Sequence, residues 1–239
     1  MDASAIQVDP TVTGELERKA PLPRLEQGDH LTRGEFERRY GVMPGPKKAE
    51  LIEGVVVIPS PVRQKSHAAP ASILNGWLFV YWSTTPGVEA GDNATVRLDP
   101  DNEPQPDAFL RILPEKGGQS KTSPDDYVEG APELIAEIAA SSASYDLFEK
   151  LNVYRRNGVL EYIVWRVLDG AVDWFRLVDE KYVRQEPDES GLIRSAIFPG
   201  LWLDTRALLA SDLAKVLSTL QEGLASEEHQ RFAAVLKER

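Results

Sequence analysis

The chain has 239 residues, no cysteine, and 27 basic against 38 acidic side chains, for a net charge of −11. That length suits one sizeable core with short arms, and the missing cysteines exclude disulfide scaffolds, thiolate zinc sites and cysteine nucleophiles. No apolar run approaches the roughly 20 residues that span a bilayer, and the N-terminal stretch lacks a basic-then-apolar leader, so a cytoplasmic protein with no membrane partner is expected.

Residues 1–28 carry Pro10, Pro21 and Pro23 with little periodicity, which predicts a loose N-terminal arm. Thr32 with Glu35 has capping-box spacing and predicts a short helix to about Arg39, before the Pro44-Gly45-Pro46 breaker. Glu50 to Ile58 reads as two short strands turning at Gly54. From Ser66 to Trp82, Ile73, Leu74, Trp77, Leu78 and Tyr81 recur at helical spacing, and Pro86-Gly87 stops that helix. Strands are expected at Ala94–Leu98 and Asp107–Leu113, followed by a loop over 114–130.

Glu133–Ala140 is a nearly continuous apolar strand, followed by a helix from about Ser144 to Asn157 that Gly158 closes. Leu160–Val167 is the next strand. A near-continuous apolar strand needs cover on both faces, and a helical crossover implies a parallel pair. Strands at Val172–Val178, Tyr182–Gln185 and Ile193–Phe198 suggest an antiparallel meander, and two helices, Thr205–Leu220 and Ser226–Lys237, end the chain. The fold class is therefore α/β, with a mixed central sheet flanked by helices. Trp174, Phe175 and Trp202 fit either the core or an apolar contact surface.

Three charges stand where burial is expected. Glu137 interrupts Leu134-Ile135-Ala136-Glu137-Ile138-Ala139, and alternation puts it on the face of Ile135 and Ala139. A charge held inside costs several kcal/mol, roughly, unless paired or bound to a metal. Asp107 follows Pro106 and opens the run Ala108-Phe109-Leu110. Lys150 shares a helix face with Leu147, Leu151 and Tyr154, and that helix follows the Glu137 strand directly. Taken singly, each has an ordinary explanation: an ion pair, a turn cap, a snorkelling lysine. Together, two strand-end carboxylates and an ammonium make a device for phosphate chemistry, in which hard oxygen donors hold Mg²⁺.

The ordered set Glu50-Leu51-Ile52-Glu53-Gly54, Pro59-Ser60-Pro61, His67, Pro106-Asp107, Glu137-Ile138, Lys150, Tyr154 and Gly158-Val159-Leu160-Glu161-Tyr162 resembles the Uma family of restriction endonucleases. That family, catalogued as a domain of unknown function, belongs to the PD-(D/E)XK nuclease superfamily. The resemblance implies a restriction-endonuclease-like core over residues 29–204, with 205–239 as a C-terminal helical extension packed on the same domain. Pro106-Asp107 matches the PD of the motif and Glu137 its second acid. The motif's lysine falls at Ala139, a departure that Lys150 would make good in space. Glu50 matches an acid from the N-terminal part, a further metal ligand or water-positioner.

Beside these positions, Glu53 reads as a polar turn residue next to Gly54, and Tyr154 and Tyr162 as packing rather than catalytic residues. His67 at a helix start reads as a cap or surface residue, with a role near phosphate as the lesser alternative. Ser141-Ser142 is expected to cap the following helix, with hydrogen bonds donated to the site as the alternative. The leading reading is a Mg²⁺-dependent endonuclease, with Mn²⁺ as a substitute, that hydrolyses DNA phosphodiester bonds through catalytic Asp107, Glu137, Lys150 and Glu50. The first two acids and Glu50 are the metal ligands. The acid excess, all of it in residues 67–239, opposes DNA binding. A basic strip (Arg155, Arg156, Arg63, Lys65) and a homodimer would offset it. The rival reading is an inactive binding or scaffold protein that retains the nuclease fold, which Ala139 and the charge favour.

Overall fold

The computed structural model describes residues 22–44 and 48–239. Most of the arm expected over 1–28 lies outside them, but its last residues are packed: Leu25 is buried, and the Gly28 amide donates to the Val56 carbonyl at 2.8 Å. Helix α1 (Arg33–Tyr40) buries Phe36. β1 (Glu50–Ile52) and β2 (Val55–Val57) form a hairpin whose turn places Glu53 and Gly54 at φ 53° and 72°. Two left-handed residues in succession give the turn whose twist matches the flanking strands.

The chain then enters α2 (Ala69–Thr84) through a π-helical turn, Gln64–Ala68. β3 (Val88–Asp92), β4 (Val96–Arg97) and β5 (Ala108–Ile112) follow, with β6 (Lys121–Thr122) and β7 (Val128–Glu129) inside the stretch expected to be a plain loop. β8 (Leu134–Ala139) leads into a helix that starts as α3 (Ala143–Tyr145), passes through π-helical Asp146–Lys150 and continues as α4 (Leu151–Arg156). Next come β9 (Glu161–Arg166), β10 (Ala171–Val178), β11 (Lys181–Gln185), β12 (Leu192–Arg194) and β13 (Trp202–Asp204). Helices α5 (Thr205–Leu209), α6 (Leu213–Leu224) and α7 (Glu227–Glu238) close the chain. Among the described residues no helix is long and apolar enough to cross a membrane.

The central sheet has the order β11-β10-β9-β8-β5-β3. Only β8 and β9 pair in parallel, as the helical crossover between them requires. Every residue of β8 is buried, because both sheet faces are covered. On one face, Leu134, Ala136 and Ile138 pack with Trp77, Leu78 and Tyr81 of α2 and with Val216, Leu220 and Leu236 of the C-terminal helices. On the other, Phe109, Ile135, Ala139, Tyr162 and Val164 pack against Val153 and Tyr154 of α4. A smaller cluster of Leu25, Phe36, Leu51 and Val56 joins α1 to the first hairpin. Trp174 belongs to the first core and is fully buried, while Trp202 is half-buried and donates its indole N–H to Glu228.

Three expectations about elements are corrected. β3 has no β-branched run and contains Gly91, which hides it from pattern reading. Gly91 pairs with Phe109, whose ring occupies the space a Cβ would take. The strand expected over Ile193–Phe198 does not extend the meander but pairs, as β12, with β13. It stops early because Ser195 Oγ accepts from the Ile197 and Phe198 amides at 3.2 and 2.8 Å, turning the chain. The helix expected over Thr205–Leu220 breaks at Ser211 (φ 56°), and α6 restarts with Asp212 capping Lys215.

Candidate active site

β8 delivers Glu137 to the sheet face it shares with Ile135 and Ala139, as alternation requires. β5 runs antiparallel beside it, so Asp107, just before that strand, arrives next to Glu137. The Asp107 amide points at Glu137 Oε2 (3.4 Å), and Asp107 Oδ2 accepts from the Ile138 amide (2.8 Å). Lys150 reaches back from the crossover helix. Its Nζ donates to Glu137 Oε1 at 2.8 Å and to Glu50 Oε1 at 3.0 Å. Glu50 comes from β1 and also accepts from the Gln105 amide at 2.7 Å. The structure thus brings Glu50, Asp107, Glu137 and Lys150 together, and each is 3–4% exposed.

Lys150 and His67 both lie in π-helical turns. An extra residue in a helical turn re-aims the side chains around it, and such turns recur at functional sites. Ala139 is buried on the same face as Glu137, where the usual motif places its lysine. The ammonium of Lys150 enters from the neighbouring helix instead.

Further side chains surround the cluster. Tyr154, expected only to pack, is fully buried and also donates its hydroxyl to Glu137 Oε1 at 2.8 Å. Tyr162 packs as expected and donates to the Asp146 carbonyl. Asp146 is buried and accepts from Ser142 Oγ at 2.6 Å. Ser142 therefore precedes the helix without capping its backbone by the side chain. His67, expected to be a cap or surface residue, instead places Nε2 at 3.2 Å from Asp107 Oδ2, and Lys48 Nζ lies 3.6 Å from Asp107 Oδ1. The family resemblance marked His67 without assigning it to the acids, and no pattern in the sequence marked Asp146 or Lys48, because a polar residue in a turn or helix start is ordinary.

Burial favours the neutral form of Asp107, Glu137 and Asp146, and the neighbours decide which of them resists it. For Asp107 burial works upward, but the His67 hydrogen bond, Lys48 and the Ile138 amide outweigh it and hold the carboxyl below its ordinary range. Burial pushes Glu137 up despite Lys150, and Asp107, Asp146 and Glu50 push the same way. Burial also pushes Asp146 up, against Lys150 and Ser142. For Lys150 burial opposes the charge, yet Glu137, Glu50 and Asp146 hold the ammonium well above its usual value. The neighbours thus favour the charged ammonium at Lys150, while Glu137 is driven toward its neutral form unless a further cation joins it.

Among the described residues no three His, Cys, Asp or Glu side chains are gathered as metal ligands; Lys150 stands between Glu50 and Glu137. The donor chemistry nevertheless fits a hard divalent ion. Among the described residues, Asp107 Oδ1 meets only Lys48 at 3.6 Å, and Glu137 Oε2 accepts only the long contact from the Asp107 amide. Two adjacent carboxylates with one under-used oxygen each, plus solvent, are an ordinary Mg²⁺ complement. Half of the expected basic strip is engaged elsewhere: Arg156 pairs with Glu53 at 2.9 Å, and Arg155 donates to the Glu180 carbonyl.

A chain with a mixed sheet, a parallel β8–β9 pair and buried acids meeting a lysine at its centre falls in the restriction-endonuclease-like class of α/β proteins. The family model "Uma2: Putative restriction endonuclease" matches residues 33–206, and the chain belongs to this family. Its fold is similar to the crystal structure of "a putative nuclease belonging to DUF820" from Anabaena variabilis. The TM-score is 0.57 at 16% identity, over 76% of this chain and 98% of that one. No curated protein matches the chain significantly.

Proposed function

We propose that this protein is a divalent-metal-dependent endonuclease that hydrolyses DNA phosphodiester bonds. The observation that carries the proposal is the Lys150 ammonium held between Glu50 and Glu137, with Asp107 adjoining on the next strand. Asp107 and Glu137 would hold Mg²⁺ or Mn²⁺, and Glu50 would assist as a third acid. Bound there, such an ion polarises the phosphodiester and makes water a stronger nucleophile. The chain's own residues do the rest. Lys150 has three N–H donors, of which Glu137 and Glu50 take two, leaving one for a water or a phosphate oxygen. Glu50 fixes that ammonium, since its own carboxylate is anchored on the Gln105 amide. Tyr154 and the Ile138 amide fix the acids, so little reorganisation accompanies the build-up of charge.

The same reading places the protein in the cytoplasm as a homodimer, since intracellular DNA is the substrate and two copies present two cutting sites. Sedimentation at micromolar concentration tests the dimer.

The decisive experiment is nicking of supercoiled plasmid with Mg²⁺ or Mn²⁺. Cleavage is expected for the native chain and absent with a chelator, in Asp107→Ala and in Lys150→Ala. A folded native protein that cuts no nucleic acid with either ion would instead be the noncatalytic binding protein that Ala139 and the acidic charge suggest.

A further inference from the structure

The acid cluster is closed on most sides, and two polar side chains that touch it reach solvent. Lys48 and His67 have side chains 31% and 19% exposed, against 6% for the Asp107 they meet. They come from separate parts of the chain, Lys48 from just before β1 and His67 from the π-helical turn before α2. Lys48 is not spent on Asp107. Its hydrogen bond goes to Asn93 Oδ1 at 3.0 Å, while Asp107 Oδ1 stays at 3.6 Å. An ammonium has three donors, so Asn93 positions this one at the opening with capacity to spare. His67 donates to an Asp107 oxygen that the Ile138 amide already satisfies. Arg63 and Lys65, beside His67 in the chain, are exposed and have no ion pair among the described residues.

A phosphodiester approaching four buried acids meets repulsion unless positive charge lines its path. We propose that Lys48 and His67 are the substrate-facing pair of this site: counter-groups of Asp107 in the free protein that turn to a phosphate oxygen of duplex DNA when it enters. The inference deepens the nuclease reading and rests on it. In this role both are binding residues, and Asn93 positions Lys48.

The test is fluorescence anisotropy of a labelled DNA duplex with the full chain in Ca²⁺, between about 50 and 200 mM salt, alongside the plasmid assay. Lys48→Met is expected to weaken binding about tenfold and to lower the slope of log affinity against log salt by about one, the signature of one lost phosphate contact. Lys48→Arg restores the slope. His67→Gln weakens binding several-fold and raises KM more than it lowers kcat. A purely structural role would move the urea midpoint and leave the salt slope alone. Should the native chain cut plasmid while Lys48→Met binds and cuts with unchanged slope and KM, this inference fails and the nuclease reading stands. Should the native chain neither bind nor cut, both fall.

Discussion

Lys150 donates to two carboxylates that lie 100 and 13 residues away in the sequence. Removing one member of a buried ion pair costs about 3–5 kcal/mol, because the partner charge stays in a poor solvent. Lys150→Met is therefore expected to lower the urea midpoint sharply at pH 8. At pH 6 the loss shrinks, since burial already pushes the Glu137 carboxyl up and a proton taken up there replaces the missing charge. Equal losses at the two pH values would refute this account.

Glu161 offers a cleaner titration, away from the site. It is buried, and burial raises its carboxyl to about 6, against hydrogen bonds from Ser195 Oγ and the Ala196 amide. A carboxyl whose pKa is higher in the folded state contributes stability that is fully present below about 4.5 and lost as pH rises through about 6. A shift of that size corresponds to about 2 kcal/mol. Stability measured by urea from pH 4 to 8 should show this fall in the native chain relative to Glu161→Gln, whose side chain does not titrate. Parallel curves would overturn it.

At the scale of elements, strand pairing does what side chains alone cannot. β5 and β8 set Asp107 against Glu137, and the β8–β9 crossover aims Lys150 at Glu137, where Glu50 of β1 meets it. The edge strand β3 depends on a close approach, because Gly91 leaves room for the Phe109 ring in the second core. Gly91→Ala is expected to cost about 1–3 kcal/mol through overpacking. The loss should appear as a lower denaturant midpoint with the sheet's circular dichroism retained; an unchanged midpoint would show that the ring moves aside freely. Elements with a single strong pattern were legible in the sequence. β8 announces itself by its apolar run, and α2 by its helical spacing. Those fixed by one hydrogen-bonding side chain or one left-handed residue were not: Ser195 shortens β12, and Ser211 divides α5 from α6.

For the whole molecule, net charge and local charge pull in different directions. The chain is acidic overall, so under the proposed function DNA would have to be gripped by a small cationic region, and binding there should be strongly screened. Plasmid nicking is expected to fall by at least tenfold between about 50 and 200 mM salt. A salt-independent rate would place the substrate contacts outside the surface that carries Lys48, Arg63 and Lys65.

By itself the sequence determined that the chain is α/β, that β8 is buried on both faces, and that Glu137, Asp107 and Lys150 are charges in apolar surroundings. Those facts are local, written in runs and spacings of a few residues. Only the tertiary structure decided that Glu50 and Lys150 meet, that Tyr154 donates to Glu137, and that Lys48 and His67 stand at Asp107. Contacts between distant residues depend on strand order and helix register, and a lysine in a loop carries no local mark of the carboxylate it will face.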